Sequence, residues 1–216
     1  MSSILARAGK RLFDLGGASI LTVLLAPLML GVALAIRLDT PGPVLFRQQR
    51  LGRRGRPFTI FKFRTMLRGS ESLGSGLETC RSDWRITGVG AVLRNHRLDE
   101  LPQLFNVLAG DMSLVGPRPL LAAGLPHYSA LARRRLEAVP GMTGWQQVHG
   151  AARNSWQDRV ALDAWYVDHQ GFLLDLWILV LTVRVVLRAE GAYAEDGSQR
   201  SGVPDPGPGE EDHDRH

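Results

Sequence analysis

Residues 15–36 (LGGASILTVLLAPLMLGVALAI) run through 22 positions without a charged side chain, about 33 Å of helix at roughly 1.5 Å per residue. Eleven of these are Leu, Ile or Val, which together favour membrane insertion by about 3–7 kcal/mol. That length argues against an ordinary buried core helix. A cleaved signal peptide is disfavoured too, because no small-residue cleavage site precedes Arg37 and a basic segment follows. Arg7, Lys10 and Arg11 stand before the run; Arg37, Arg47, Arg50, Arg53, Arg54 and Arg56 stand after it. Basic residues prefer the cytoplasmic side, so charge on both flanks suggests that both ends stay there. Pro27, near the midpoint, removes a backbone donor and clashes with the carbonyl four residues back. Charge and proline leave two geometries open: a helix broken at Pro27 that dips in and returns, or a kinked helix that spans.

Beyond Arg37 the pattern changes to that of a folded domain. Asp39-Thr-Pro-Gly-Pro reads as a turn, and residues 44–49 and 57–66 as strands around a tight, basic Gly-Arg-Arg-Gly-Arg. Residues 67–82, rich in Ser, Gly and Glu, read as a surface loop. Helical periodicity marks 87–96, 100–109 (stopped by Gly110), 127–138 and 155–169. A second apolar run, residues 172–187, carries Asp175 and Arg184 and suits an interfacial helix better than a span. From residue 189 the chain turns to Gly, Pro, Asp and Glu and reads as a disordered acidic tail, in which His213 and His216 are incidental. The division predicted is thus a membrane anchor over 1–40, a catalytic domain over 41–188 and a tail over 189–216.

Charge sharpens this picture. The formal net charge is +5. Residues 1–188, however, hold 24 basic against 13 acidic side chains, a balance of +11, because the tail is acidic. Only Lys10 and Lys62 of the basic residues are lysines. Such a domain should meet anionic partners: phosphates, nucleic acid or an anionic membrane surface. The single cysteine, Cys80, excludes a disulfide framework and a multi-cysteine metal site.

Candidate chemistry concentrates in residues 93–119 (LRNHRLDELPQLFNVLAGDMSLVGPRP). Asp99 and Glu100 are adjacent acids before a helical pattern, and a helix start explains them without any chemistry. Their neighbours suggest more. Arg94, His96 and Arg97 precede them, and Arg118 lies between two prolines. An arginine fork matches phosphate oxygens, while a carboxylate pair can hold Mg²⁺ or supply a nucleophile, which together suit phosphoryl transfer. Arg118 could equally serve a structural salt bridge. In residues 61–66 (FKFRTM) the alternation puts Lys62 and Arg64 on one strand face, either solvated or turned toward phosphate. Residues 140–144 (PGMTG) form a turn-rich stretch that could offer backbone donors to an anion. Gln147 and His149 follow and could be binding residues or ordinary surface ones.

Taken together, KRLFD with the apolar segment, FKFRTM, LDELPQLFNVLAGDMSLVGPRP, PGMTGWQQV and LDAWYVD…LDLWILVLTV resemble the bacterial sugar transferase family, the small monotopic polyprenyl-phosphate phosphoglycosyl transferases. The resemblance runs from about residue 10 to 193. It implies an α+β, mainly helical fold: a re-entrant helix-break-helix at Pro27 and a small cytoplasmic catalytic domain with short strands and interfacial helices. Relatives commonly carry Ser before that proline, where this chain has Ala26. The larger members' bundle of four membrane helices has no counterpart in these residues.

By the same resemblance, Asp99 would attack the β-phosphorus of a UDP-sugar, release UMP and form an aspartyl-phosphosugar. Polyprenyl phosphate would then take the sugar phosphate, in the first membrane step of exopolysaccharide, O-antigen or glycoconjugate synthesis. Glu100 would support the site, Mg²⁺ would bind chiefly through Asp99 and the diphosphate, and Arg118 would hold a phosphate, with Lys62, Arg64, Arg97 and Gln147 as further substrate-binding candidates. The expected location is the inner membrane, cytoplasmic face. The competing class is a non-enzymatic, membrane-anchored basic module that binds anionic lipid or nucleic acid. A nucleic-acid groove would gain nothing from Asp99 beside Glu100, so no nucleic-acid partner is expected.

Overall fold

The uncharged run and its basic flanks form one 38-residue helix, α1 (Ser2–Asp39), in a computed structural model that describes residues 2–70, 79–80, 82–188 and 198–199. Its apolar side chains divide into two stripes. Ala18, Met29, Val32 and Ile36 are buried against the rest of the protein, while Leu12, Ile20, Val23, Leu24, Leu30 and Leu34 are exposed. The buried set follows the three-, four- and seven-residue spacing of a single helix face.

The expected break into two helices is absent: α1 continues through Pro27. Proline forfeits one intrahelical bond. Leu and Ala on both sides are strong helix formers, and packing of Ala18 on one side and Met29, Val32 and Ile36 on the other holds the helix together across it. Among the described residues, Arg7–Asp39 is the one helix long and apolar enough to cross a membrane.

The KRLFD motif fastens the first half of α1. Lys10 Nζ donates to the Val115 carbonyl (3.0 Å) and to Asp175 (2.5 Å). Arg11 donates to the carbonyls of Val107 (2.6 Å) and Leu108 (3.1 Å), at the end of a helix where a cation is favoured. Buried Asp14 accepts from Ser113 Oγ and the Leu114 N–H, each at 3.0 Å. The other end of α1 is fastened to the same body, where Asp39 accepts from the Val89 N–H at 3.3 Å.

After α1 come the hairpin strands β1 (Leu45–Leu51) and β2 (Pro57–Phe63), then β3 (Thr79–Cys80), α2 (Gly88–Asn95), α3 (Gln103–Ala109), β4 (Ser113–Val115) and β5 (Leu120–Leu121). There follow α4 (Ala130–Arg133), β6 (Gly141–Thr143), α5 (Trp145–Val148), α6 (Trp156–His169), α7 (Phe172–Leu187) and β7 (Ser198–Gln199). The main sheet has the order β2-β1-β5, antiparallel throughout. β4 pairs with β6 in parallel and β3 with β7 antiparallel. The mainly helical α+β class is as expected. Of the expected loop, residues 71–78 and 81 lie outside the described residues, as does the expected tail apart from β7.

The largest core joins α1, β2, α3, β4, α6 and α7 around Ala18, Ile60, Leu104, Val107, Leu114, Tyr166 and Ile178. A polar network crosses it: the Tyr166 hydroxyl donates to Asp175 at 2.6 Å, and Asp175 also accepts from Lys10. The carboxylate of α7 therefore serves the joint between three helices. On its outer side α7 leaves Phe172, Leu173, Leu176, Trp177, Val180 and Val183 exposed, as an interfacial helix requires.

Candidate active site

The two acids sit in a 3-10 turn, Leu98–Glu100, between α2 and α3. The turn is entered through Arg97 at φ 55, the left-handed region that an Arg adopts only where its surroundings impose it. That kink detaches the acids from α2. Pro102, rather than Asp99, then caps α3, and Gly110 ends that helix at φ 96. So Asp99 is not the N-cap of α3, although both acids stand in the first turn of the short 3-10 helix that precedes it.

Asn106 places these acids against the hairpin. Fully buried, its side chain accepts from the Phe61 N–H (3.0 Å) and donates to the Thr59 carbonyl (2.7 Å). Residues 59 and 61 flank positions on β2 whose side chains point the opposite way, so α3 is pinned along a strand that carries Lys62 on the alternate face.

Lys62 Nζ meets Glu100 Oε1 at 2.6 Å, and Arg118 Nη2 meets the same oxygen at 3.0 Å. One carboxylate oxygen thus holds two cations. Burial works against the charge of Glu100, but Lys62, Arg118 and Arg97 outweigh it and hold the carboxyl well below the usual range. Asp99 goes the other way. Burial raises it, Lys62 opposes the rise and the Glu100 charge adds to it. Adjacent carboxyls are driven apart in this way, one kept firmly ionised by its cations and the other made more basic. Glu100, with burial opposing it, raises Arg118, and burial lowers Arg97 despite Glu100.

The structure therefore brings Lys62, Arg97, Asp99, Glu100 and Arg118 together. Arg64 is placed elsewhere. β2 ends at Phe63, and the Arg64 guanidinium donates to the carbonyls of Pro41 (2.7 Å) and Thr40 (2.8 Å) just past the end of α1. Residues 140–144 are not an open anion loop either. Gly141 N–H donates to the Pro117 carbonyl at 2.9 Å and Gly116 N–H to Thr143 at 2.9 Å. A Cβ on Gly141 would lie 2.0 Å from the Gly116 nitrogen. These glycines allow the close backbone approach that fixes the loop carrying Arg118. Gln147 is buried beside it, close to Gly144, with both side-chain polar atoms lacking a hydrogen-bond partner.

Arg50 belongs to the same neighbourhood, although neither its spacing nor its context singles it out in the sequence. It interacts electrostatically with both Arg118 and Glu100. The usable signal is the hairpin register, in which Phe46 faces Lys62 and Gln48 and Arg50 follow on the same face. Among the described residues no three His, Cys, Asp or Glu side chains gather as a metal cage.

Comparison with known proteins agrees with the motifs. The model of the family described as bacterial sugar transferase matches residues 5–189. The chain is 48% identical over 182 residues to the uncharacterized sugar transferase EpsL of Bacillus subtilis (strain 168), covering 84% of this chain and 89% of that one. It is 45% identical to the UDP-glucose:undecaprenyl-phosphate glucose-1-phosphate transferase of Caulobacter vibrioides (85% and 72% covered). To the undecaprenyl-phosphate galactose phosphotransferase of Salmonella typhimurium it is 40% identical, spanning 85% of this chain but 41% of that longer protein. With the family model spanning most of its length and the acids and bases of its motifs gathered at one place, the chain is an enzyme of the bacterial sugar transferase family.

Proposed function

We propose that this enzyme moves a sugar phosphate from a UDP-sugar to a polyprenyl phosphate through a covalent adduct on Asp99. The observation that carries the reading is the contrast between the two acids: Glu100 is held ionised by Lys62 and Arg118, while Asp99 is made more basic by burial. A purely anion-binding module would not place two carboxylates at the centre of its basic cluster.

In the first step an Asp99 carboxylate oxygen attacks the β-phosphorus. The new O–P bond forms as the bond to the bridging oxygen breaks, and UMP departs with that electron pair. In the second, a phosphate oxygen of the lipid attacks the same phosphorus and expels the Asp99 carboxylate, leaving polyprenyl diphosphate-sugar. Arg118 and Lys62 are placed to offset charge on the transferring phosphoryl group. Glu100, so far below its ordinary pKa, is a poor proton acceptor; it orients those two cations. Gln147 offers both a donor and an acceptor from a buried position, which suits contact with the donor substrate.

Mg²⁺ usually binds through one or two carboxylates and completes its shell with water and substrate phosphates. Asp99 beside Glu100 fits that pattern without a protein cage, and Asp99 would hold the ion. When bound, it would neutralise oxyanion charge on the diphosphate.

UMP release from a panel of UDP-glucose, UDP-galactose and N-acetylated UDP-hexoses, with polyprenyl phosphate and Mg²⁺, tests the reaction. Release from at least one donor is expected; none from any donor overturns the reading.

The acceptor is a lipid, so the site should lie at headgroup level on the inner membrane's cytoplasmic face. Both ends of α1 are bonded to one body, so a crossing would draw that body into the bilayer. We place α1 as a continuous helix lying in the plane of one leaflet, its exposed stripe toward the lipid and both ends at the cytoplasmic surface, beside the apolar face of α7. Basic residues near an anionic leaflet add about 1 kcal/mol each. In a Cys80→Ser background, single cysteines replacing Arg7 or Leu38, both exposed, should react with a membrane-impermeant maleimide only from the cytoplasmic side. Labelling of the two from opposite sides would refute this placement.

A further inference from the structure

Lys62 and Arg50 lie on one face of the β1–β2 hairpin and are treated very differently by their surroundings. Lys62 has Glu100 as its counterion. Arg50 donates from Nε and Nη2 to Gln48 Oε1 (3.0 and 2.6 Å) and from Nη1 to the Pro119 carbonyl (3.2 Å), all neutral oxygens. Among the described residues it forms no ion pair.

Other arginines here have carboxylates, whereas Arg64, also buried, meets backbone carbonyls. Arg135 pairs with Asp163 and Arg134 with Asp168. Burying a cation without one is costly. Arg50 bears that cost beside a second cation. Its bond to Pro119 holds it against the loop that carries Arg118, whose charge it feels. Burial, then repulsion from Arg118, pushes Arg50 down to about 10, which leaves it charged at neutral pH. Around Asp99 and Glu100 stand Lys62, Arg94, Arg97, Arg118 and Arg50, five positive charges against two negative ones. A guanidinium has five N–H donors, and Gln48 and Pro119 take three of those of Arg50. Two are left for an oxyanion.

We infer that Arg50 and Arg118 form a paired-guanidinium seat for a phosphate oxyanion, with Gln48 holding the plane of the Arg50 fork. The inference rests on the phosphosugar-transfer reading above. The oxyanion is either a phosphate of the nucleoside diphosphate donor or the phosphate monoester of the lipid acceptor.

Full-length enzyme in lipid nanodiscs, compared with its Arg50→Met and Arg50→Lys variants, tests this. The first half-reaction, adduct formation without acceptor, is measured against UDP-sugar concentration. The complete reaction is measured against polyprenyl phosphate concentration. Arg50→Met should raise the KM for one phosphate substrate at least ~10-fold, as loss of a charge-assisted pair requires, with a smaller change in kcat. Arg50→Lys should recover part of that loss, because it restores charge without the fork. A shift confined to the first measurement assigns the seat to the donor; one confined to the second assigns it to the acceptor. Both KM values unchanged in a variant with the wild-type melting temperature overturns the inference. If Arg50→Met does not fold and Arg50→Lys is kinetically silent, the residue is structural and the inference also fails. Wild-type enzyme that releases no UMP sinks the underlying reaction instead, so the two failures are distinguishable.

Discussion

Asp99→Asn should lower UMP release by about 10⁴-fold or more, the scale on which covalent nucleophiles contribute. Asparagine keeps the size and one oxygen of the side chain but cannot carry the transferred phosphoryl group. Incubated with donor alone, wild-type protein should gain the mass of a sugar phosphate on the peptide containing Asp99, and the variant should gain none. A label on another residue, or undiminished turnover, would remove Asp99 from the mechanism. Stability provides a second readout with opposite sign. Burial raises the Asp99 pKa in the fold, so above that pKa the ionised group costs folding free energy. The cost shrinks as pH falls through it. At neutral pH the variant should therefore melt no lower than wild type, and the difference should close in acid. An inactive but undiminished fold is the signature of a residue kept for chemistry at the expense of stability.

How much of this was legible in the sequence depends on the range over which each feature is determined. The apolar run at 172–187 became α7 with the same bounds, and 155–169 became α6 beginning one residue later, because local periodicity and a Ser cap determine them. The acids, Lys62 and Arg118 could be singled out because their residue types suit phosphate chemistry. Arg64 shows where alternation stops being informative. It would share the face of Lys62 only if β2 continued, and the strand ends one residue earlier. Pro27 shows the tertiary context outweighing a local rule, since contacts on both sides keep α1 continuous. Arg50 needed the register of a hairpin, which the sequence suggests, and the position of the Pro119 carbonyl, which it does not. The glycines of 140–144 read as a loop because close backbone packing against Gly116 is a contact between distant segments.

Glu100→Gln should reduce turnover by about 10²-fold or more and move the acidic limb of the pH–rate profile to lower pH. Glu100 Oε1 is the one oxygen on which Lys62 and Arg118 converge. Glutamine retains an acceptor there but removes the charge, so two cations are left to seek the nearest anion, which is Asp99. The sign follows from the groups around that carboxyl. Burial raises its pKa, Lys62 and Arg118 lower it, and the Glu100 charge raises it. In wild type the nucleophile must be ionised, so the rate falls as pH drops through a pKa above the ordinary aspartate range. In the variant one raising influence is gone and the lowering ones are released onto Asp99, so ionisation persists further into acid. The same ion pairing makes the carboxylate less basic and draws the two cations away from the phosphoryl oxygens, so the plateau is lower although the limb extends. Reduced activity with an unmoved limb would reduce Glu100 to a structural counterion. A limb displaced upward would mean that the cations do not act on Asp99, and would break the electrostatic division of labour between the two acids.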